Sequence, residues 1–109
     1  VTVCLHGRMS TIVAFSVSPL DNGDSVAPAV ARAVKVVRES GLPNETSAMF
    51  TSIEGEWDEV MAVVKRAVEA AGEGSSRVSL TLKADIRDGV TDGLRTKVEA
   101  VERELDDLG

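Results

Sequence analysis

The chain has a single cysteine, a single histidine, no tyrosine and only three aromatic side chains, Phe15, Phe50 and Trp57. Each scarcity removes a class of function. Cys4 alone cannot close an internal disulfide, which fits a reducing cytoplasm. His6 lies beside it in a ragged lead outside any periodic segment, so the fold proper offers no imidazole for proton transfer. Nothing has the spacing of a metal site, a nucleophile elbow or a phosphate-binding loop. Basic residues are also short: twelve against eighteen acidic ones, a formal charge of −6. That balance repels nucleic acid and anionic membranes, and the aromatics that would stack on bases are missing. No apolar run approaches the length of a bilayer span. A binding role is therefore expected ahead of a catalytic one.

What is present is enough for one core. Apolar residues make up 43% of 109 positions, mostly Val and Ala, so the interior must be built from small side chains. Residues 1–8 are too short and too polar for a signal peptide's apolar region. Met9 is expected to be the first residue that matters to the fold, after a disordered extension; residues 9–109 then form a single domain.

Thr11 to Ser18 alternates, with Val13, Phe15 and Val17 on one face and Ile12, Ala14, Ser16 and Ser18 on the other, which predicts a strand. After the turn cluster Pro19–Asp24, Ser25 is placed to cap a helix whose stripe is Val26, Val30, Ala33, Val34 and Val37, ended by Gly41 and Pro43. Glu45–Phe50 and Thr51–Glu54 read as a bent hairpin in which Gly55 serves a tight turn. A second helix begins near Glu56, with Trp57, Val60, Met61, Val64, Ala67, Val68 and Ala71 on its apolar face. Arg77 to Ile86 is a strand, with Val78, Leu80, Leu82, Ala84 and Ile86 opposite Ser79, Thr81, Lys83 and Asp85. Thr91 caps a last helix striped by Leu94, Val98, Val101 and Leu105.

Strand–helix–strand–strand–helix–strand plus a terminal helix is an α+β pattern. Its simplest solution is a ferredoxin-like βαββαβ sandwich: a four-stranded antiparallel sheet with the first and third strands central and two helices on one face. The opposite face, carrying Ser16, Ser18, Ser79, Thr81, Lys83 and Asp85 among Ile12 and Ala14, is expected to stack on a second copy, with ligand in the seam.

Four passages give this pattern a family likeness: Ser16-Val17-Ser18-Pro19-Leu20; Ser47-Ala48-Met49-Phe50-Thr51 with Ile53-Glu54-Gly55-Glu56; Lys83-Ala84-Asp85-Ile86-Arg87; and Gly93-Leu94, Lys97-Val98 and Val101. From Met9 to the last helix the chain resembles the thiamine-binding protein family of small ferredoxin-like domains. The resemblance implies a cytoplasmic homodimer or homotetramer that binds thiamine or its pyrimidine moiety without transforming it, with no further cofactor. At Phe50 the family often has a small residue, so a ring there would fill or reshape the pocket.

The candidate ligand-binding residues are Ser16, Ser18, Ser47, Met49, Thr51, Glu54, Lys83 and Asp85; no catalytic or metal-binding residue is assigned. Hydroxyls would read the pyrimidine edge, a carboxylate would face the thiazolium, and Met49 would clamp the ring. Each has a plainer alternative: strand hydroxyls, acidic residues complementing a helix start, a packing methionine, and a Lys83–Asp85 ion pair across the oligomer seam. Two other readings stay open: a regulatory or structural oligomer without a thiamine site, and a cofactor-independent enzyme using Asp85 or Glu54 as base.

Overall fold

A computed structural model describes residues 9–21, 26–88 and 93–109. The elements in chain order are β1 (Met9–Pro19), α1 (Ala27–Glu39), β2 (Asn44–Thr46), β3 (Thr51–Gly55), α2 (Trp57–Ala71), β4 (Val78–Asp88) and α3 (Gly93–Asp107). The sheet order is β2-β3-β1-β4 with every pairing antiparallel, so β1 and β3 are central as the sequence predicts. Residues 1–8, Ser25 and Thr91 lie outside the described residues; the N-cap position of α1 is Val26, with no side-chain cap hydrogen bond, rather than the expected Ser25.

Alternation in β1 sets the two faces. Val13, Phe15 and Val17 are buried against Ala29, Ala33 and Val37 of α1 and Val60, Val63, Val64, Ala67 and Ala71 of α2. Alanines on the facing helix sides let the two helices approach the sheet and each other closely. Arg32 fastens them: its Nε donates to the Ala70 carbonyl at 2.8 Å and its Nη2 to Ala71 at 3.2 Å. The guanidinium thereby adds a donor to two carbonyls of the last turn of α2, of which Ala70 also accepts from the Glu73 amide at 3.4 Å. Gly41, at φ 78°, takes the left-handed conformation that ends α1.

Two further readings need correction. Gly55 is the last residue of β3, paired with Thr11, not part of a tight turn. A Cβ there would sit 3.3 Å from both Leu42 and Val60, so the position is glycine because α2 and the Leu42 side chain close over it. The second correction concerns the sheet's other face, which is not wholly bare: α3 crosses one end of it. Gly93 lies against Ile12, and Lys97 bridges Asp85 on β4.

Thr11 is fully buried, and among the described residues its Oγ1 has no hydrogen-bond partner. A buried hydroxyl without a partner carries an uncompensated desolvation cost of about 1–3 kcal/mol. The near-isosteric Thr11→Val variant should therefore be more stable by about 1 kcal/mol in urea denaturation; a clear loss of stability would mean that the hydroxyl has a partner.

Candidate functional site

The cavity that gathers the most sequence-predicted residues lies between α1, the end of β1 and the β2–β3 hairpin. Its volume is about 280 Å³, and its walls include Phe15, Ser16, Val17 and Ser18 of β1, Val26, Val30, Ala33 and Val34 of α1, and Thr46 to Thr51 of the hairpin. The strand lengths create it. β3 pairs with β1 only from Thr11 to Phe15, whereas β4 follows β1 as far as Pro19. From Ser16 onward the β3-side edge of β1 has no strand beside it among the described residues. Main-chain donors and acceptors on such an edge are available to a ligand.

The hairpin is held in shape by Ser47. Its amide donates to the Phe50 carbonyl at 2.8 Å, its hydroxyl donates to the same oxygen at 3.0 Å, and the Phe50 amide donates to that hydroxyl at 3.3 Å. The turn thus presents Ala48 and Met49 at its tip. Met49 is 75% exposed at the cavity mouth, an apolar side chain with little to pack on within the subunit. Thr51 is buried at the base, and Phe50 forms part of the wall while leaving the cavity open.

No charged side chain is among the cavity's described walls. The arrangement can hold an uncharged, flat ring between aliphatic and methionine side chains, with hydroxyls and main-chain groups to read its polar edge. Among the described residues phosphate would find no cation there.

The structure brings Ser16, Ser18, Ser47, Met49 and Thr51 to one cavity and places Glu54, Lys83 and Asp85 elsewhere. Glu54 is only 4% exposed and serves α3. Its Oε2 accepts from the Gly93 amide and from Ser10 Oγ at 3.0 Å, and its Oε1 from the Leu94 amide at 3.3 Å. This carboxylate satisfies the first amides of α3 and complements the positive end of that helix. Asp85 bridges Lys97, and that hydrogen bond, followed by the charges of Lys97, Arg87 and Lys83, holds its carboxyl below the usual range. Lys83 is exposed on the same strand, and no ion pair with Asp85 forms within the subunit.

What sequence reasoning missed is the α1 wall. Val30 and Val34 read as core positions, but the helix buries Ala29, Ala33 and Val37 and leaves the two valines half-exposed. The available signal was a valine pair four apart on the shoulder of an apolar stripe already filled by alanines.

At the far side of this end of the sheet, Asp21 ties the exit of β1 to the approach of β4. It accepts from Ser75 Oγ, from the Ser76 amide at 2.9 Å and from Ser76 Oγ at 2.7 Å. Those hydrogen bonds, that of Ser75 first, lower its pKa from the ordinary 3.8 to about 2. Because the folded-state value is the lower one, the contribution to stability is complete above the unfolded value and fades as pH falls through about 2. Carboxyl-carbon NMR titration should give Asp21 a midpoint near 2. A midpoint at the ordinary aspartate value would contradict the clasp.

Among the described residues no group of His, Cys, Asp or Glu could hold a metal ion, and no helix is long and apolar enough to cross a membrane. Comparison with known proteins agrees with the fold. The family model for thiamine-binding protein matches residues 13–102, which span the cavity, the Glu54 contact and most of α3. A UPF0045 protein of Mycobacterium bovis is 58% identical over 98 residues, covering 89% of this chain and 96% of the relative. A solved structure from Methanocaldococcus jannaschii superposes with a TM-score of 0.79 at 31% identity, over 85% of this chain and 96% of the other. One from Thermotoga maritima, provisionally assigned to thiamine biosynthesis or salvage, shares the fold with a TM-score of 0.70 at 23% identity, over 83% and 98% of the two chains. With the ferredoxin-like sheet, the terminal helix and the matched segment all in place, the chain belongs to the thiamine-binding protein family.

Proposed function

We propose that this protein binds the aminopyrimidine of thiamine, or a hydroxymethylpyrimidine-type fragment, in the cavity between α1 and the β2–β3 hairpin. It acts there as a non-catalytic, cytoplasmic homo-oligomer serving salvage, buffering or sensing. The observation that carries this reading is the uncharged cavity of about 280 Å³ that stays open beside Phe50. Its size is near the lower end of small-molecule sites, roughly 300–1,000 Å³. Hydroxyls and the free β1 edge read the ring nitrogens and the amino group, while Val30, Val34 and Met49 cover the ring faces.

Among the described residues the thiazolium has no carboxylate to face in this cavity, because Glu54 is engaged by α3. The cationic ring therefore points outward through the mouth, and the pyrimidine supplies the recognition. This reading excludes tight binding of phosphate esters through their phosphates, and no step of chemistry is assigned to any residue. Family membership and the provisional salvage assignment of the Thermotoga neighbour support the ligand class.

Calorimetric titration separates the possibilities. Thiamine and its free pyrimidine moiety should both give saturable heat, and thiamine diphosphate should bind no more tightly than thiamine. Absence of heat at millimolar ligand would favour the regulatory or structural oligomer. Phe50→Gly then tells whether the ring limits access: unchanged affinity is expected if Phe50 is only a wall.

A further inference from the structure

Beyond its first turn and Lys97, α3 carries a stripe, continued by Leu108 just past its end, that none of the described residues covers. Val98, Val101, Leu105 and Leu108 are 55%, 59%, 54% and 84% exposed. With half-buried Leu94 they recur at alternating spacings of four and three, the a/d repeat of a helix that packs along its length on another helix. In that register Leu94, Val101 and Leu108 take d positions, and Val98 and Leu105 take a positions. The flanking positions are charged: Arg95 and Glu102 at e, Lys97 and Glu104 at g.

The flanks discriminate between orientations. In an antiparallel pair, e meets e and g meets g across the axis. Placing Val98 of one helix beside Val101 of the other puts Leu94 beside Leu105. The same placement puts Arg95 beside Glu102, and Lys97 beside Glu104, on both sides of the pair. All four contacts join opposite charges. A parallel pair offers only Lys97 with Glu102, twice. Arg95 also bridges Glu99 in its own helix and Lys97 bridges Asp85 of its own β4, so in the pair each cation is shared between a carboxylate of its own subunit and one of the other copy. A groove of about 380 Å³ between α3 and the β2 edge, lined by Pro43, Asn44 and Glu45 on one side and Leu94, Arg95, Val98 and Glu99 on the other, lies beside the stripe.

We propose that α3 pairs antiparallel with α3 of a second copy of this chain, along the Leu94–Leu108 stripe, as the surface through which the protein self-associates. The inference rests on the self-association proposed above and names its surface. Because each α3 is docked through Glu54 to its own sheet, the pair joins two sheets across their partly open faces.

Light scattering on the wild-type chain and on a Val101→Glu/Leu105→Glu variant tests it. The expected result is that the variant falls to monomer mass at tens of micromolar, at least a tenfold weakening, with an unchanged circular dichroism spectrum. A variant that stays at wild-type oligomer mass would overturn the helix pairing while leaving self-association through another surface. A wild-type monomer would overturn both. Orientation is read by mixing Val98→Cys and Val101→Cys proteins in a Cys4→Ser background under mild oxidation. Disulfide between the two species is expected; disulfide within the Val101→Cys species alone would contradict the antiparallel order. Titration with thiamine is a separate readout: its failure would leave the helix pairing standing.

Discussion

Replacing Glu54 by alanine is expected to release α3 from the sheet and to lower the stability of the domain by about 3 kcal/mol. The carboxylate is buried and accepts from the Gly93 and Leu94 amides and from Ser10. Hydrogen bonds to charged groups contribute about 1.5–3 kcal/mol each, and a buried donor left unpaired costs about 1–3 kcal/mol. The three bonds share one acceptor group, and water enters once the helix lifts, so their contributions do not simply add. A loss of about 3 kcal/mol corresponds to a fall in Tm of roughly 15 °C for a domain of this size. Glu54→Gln keeps one acceptor oxygen and should lose about half as much. Thermal unfolding measures the total, and amide hydrogen exchange locates it: protection at Leu94 to Val98 should vanish first. A Glu54→Ala protein within about 1 kcal/mol of wild type, with α3 still protected, would show that the helix is held by other contacts.

The second large effect concerns binding. Val30→Trp should weaken the pyrimidine ligand by more than about tenfold, at least 1.4 kcal/mol, while changing stability by no more than about 0.5 kcal/mol. Val30 is a half-exposed helix position on the cavity wall, so a larger side chain enters the cavity rather than the packed core of Ala29, Ala33 and Val37. The contrast between an affinity that falls and a fold that holds distinguishes occlusion from unfolding. Unchanged affinity in a folded Val30→Trp protein would place the ligand elsewhere.

The fold was legible because its periodicities are local. Alternation from Thr11 to Ser18 separates a Val-Phe-Val face from a hydroxyl-rich one, and the β1–β4 register keeps those faces apart along the whole strand. Strand order followed from two βαβ-like halves of similar length, and the order β2-β3-β1-β4 agrees with it. The hairpin hydroxyls and Met49 were legible as a cluster because they are close in sequence. Glu54 was not, since its role is nonlocal. Beside Glu56 and a helix start, it reads as a residue that complements α2. Its donors come from Gly93 and Leu94, at the start of a different helix. A carboxylate within a strand, on the face that also carries Ile12, needs donors from somewhere; that requirement was the available clue. Gly55 failed for a related reason. Glycine beside charged residues suggests a turn, whereas here it admits Leu42 and Val60 to the sheet. The second face, expected to be covered by another copy, also carries α3 at one end, because the Gly93 backbone can approach Ile12, where an added Cβ would come within 2.8 Å of its side chain.

Recognition of a neutral pyrimidine at one defined place is tested most directly by mapping amide chemical shifts during titration with the free pyrimidine moiety of thiamine. Saturable shifts should concentrate at Ser16–Ser18, Val30–Val34 and Ser47–Thr51, the segments that line the cavity. Shifts confined to Lys83, Asp85 and α3, or no shifts at millimolar ligand, would contradict it.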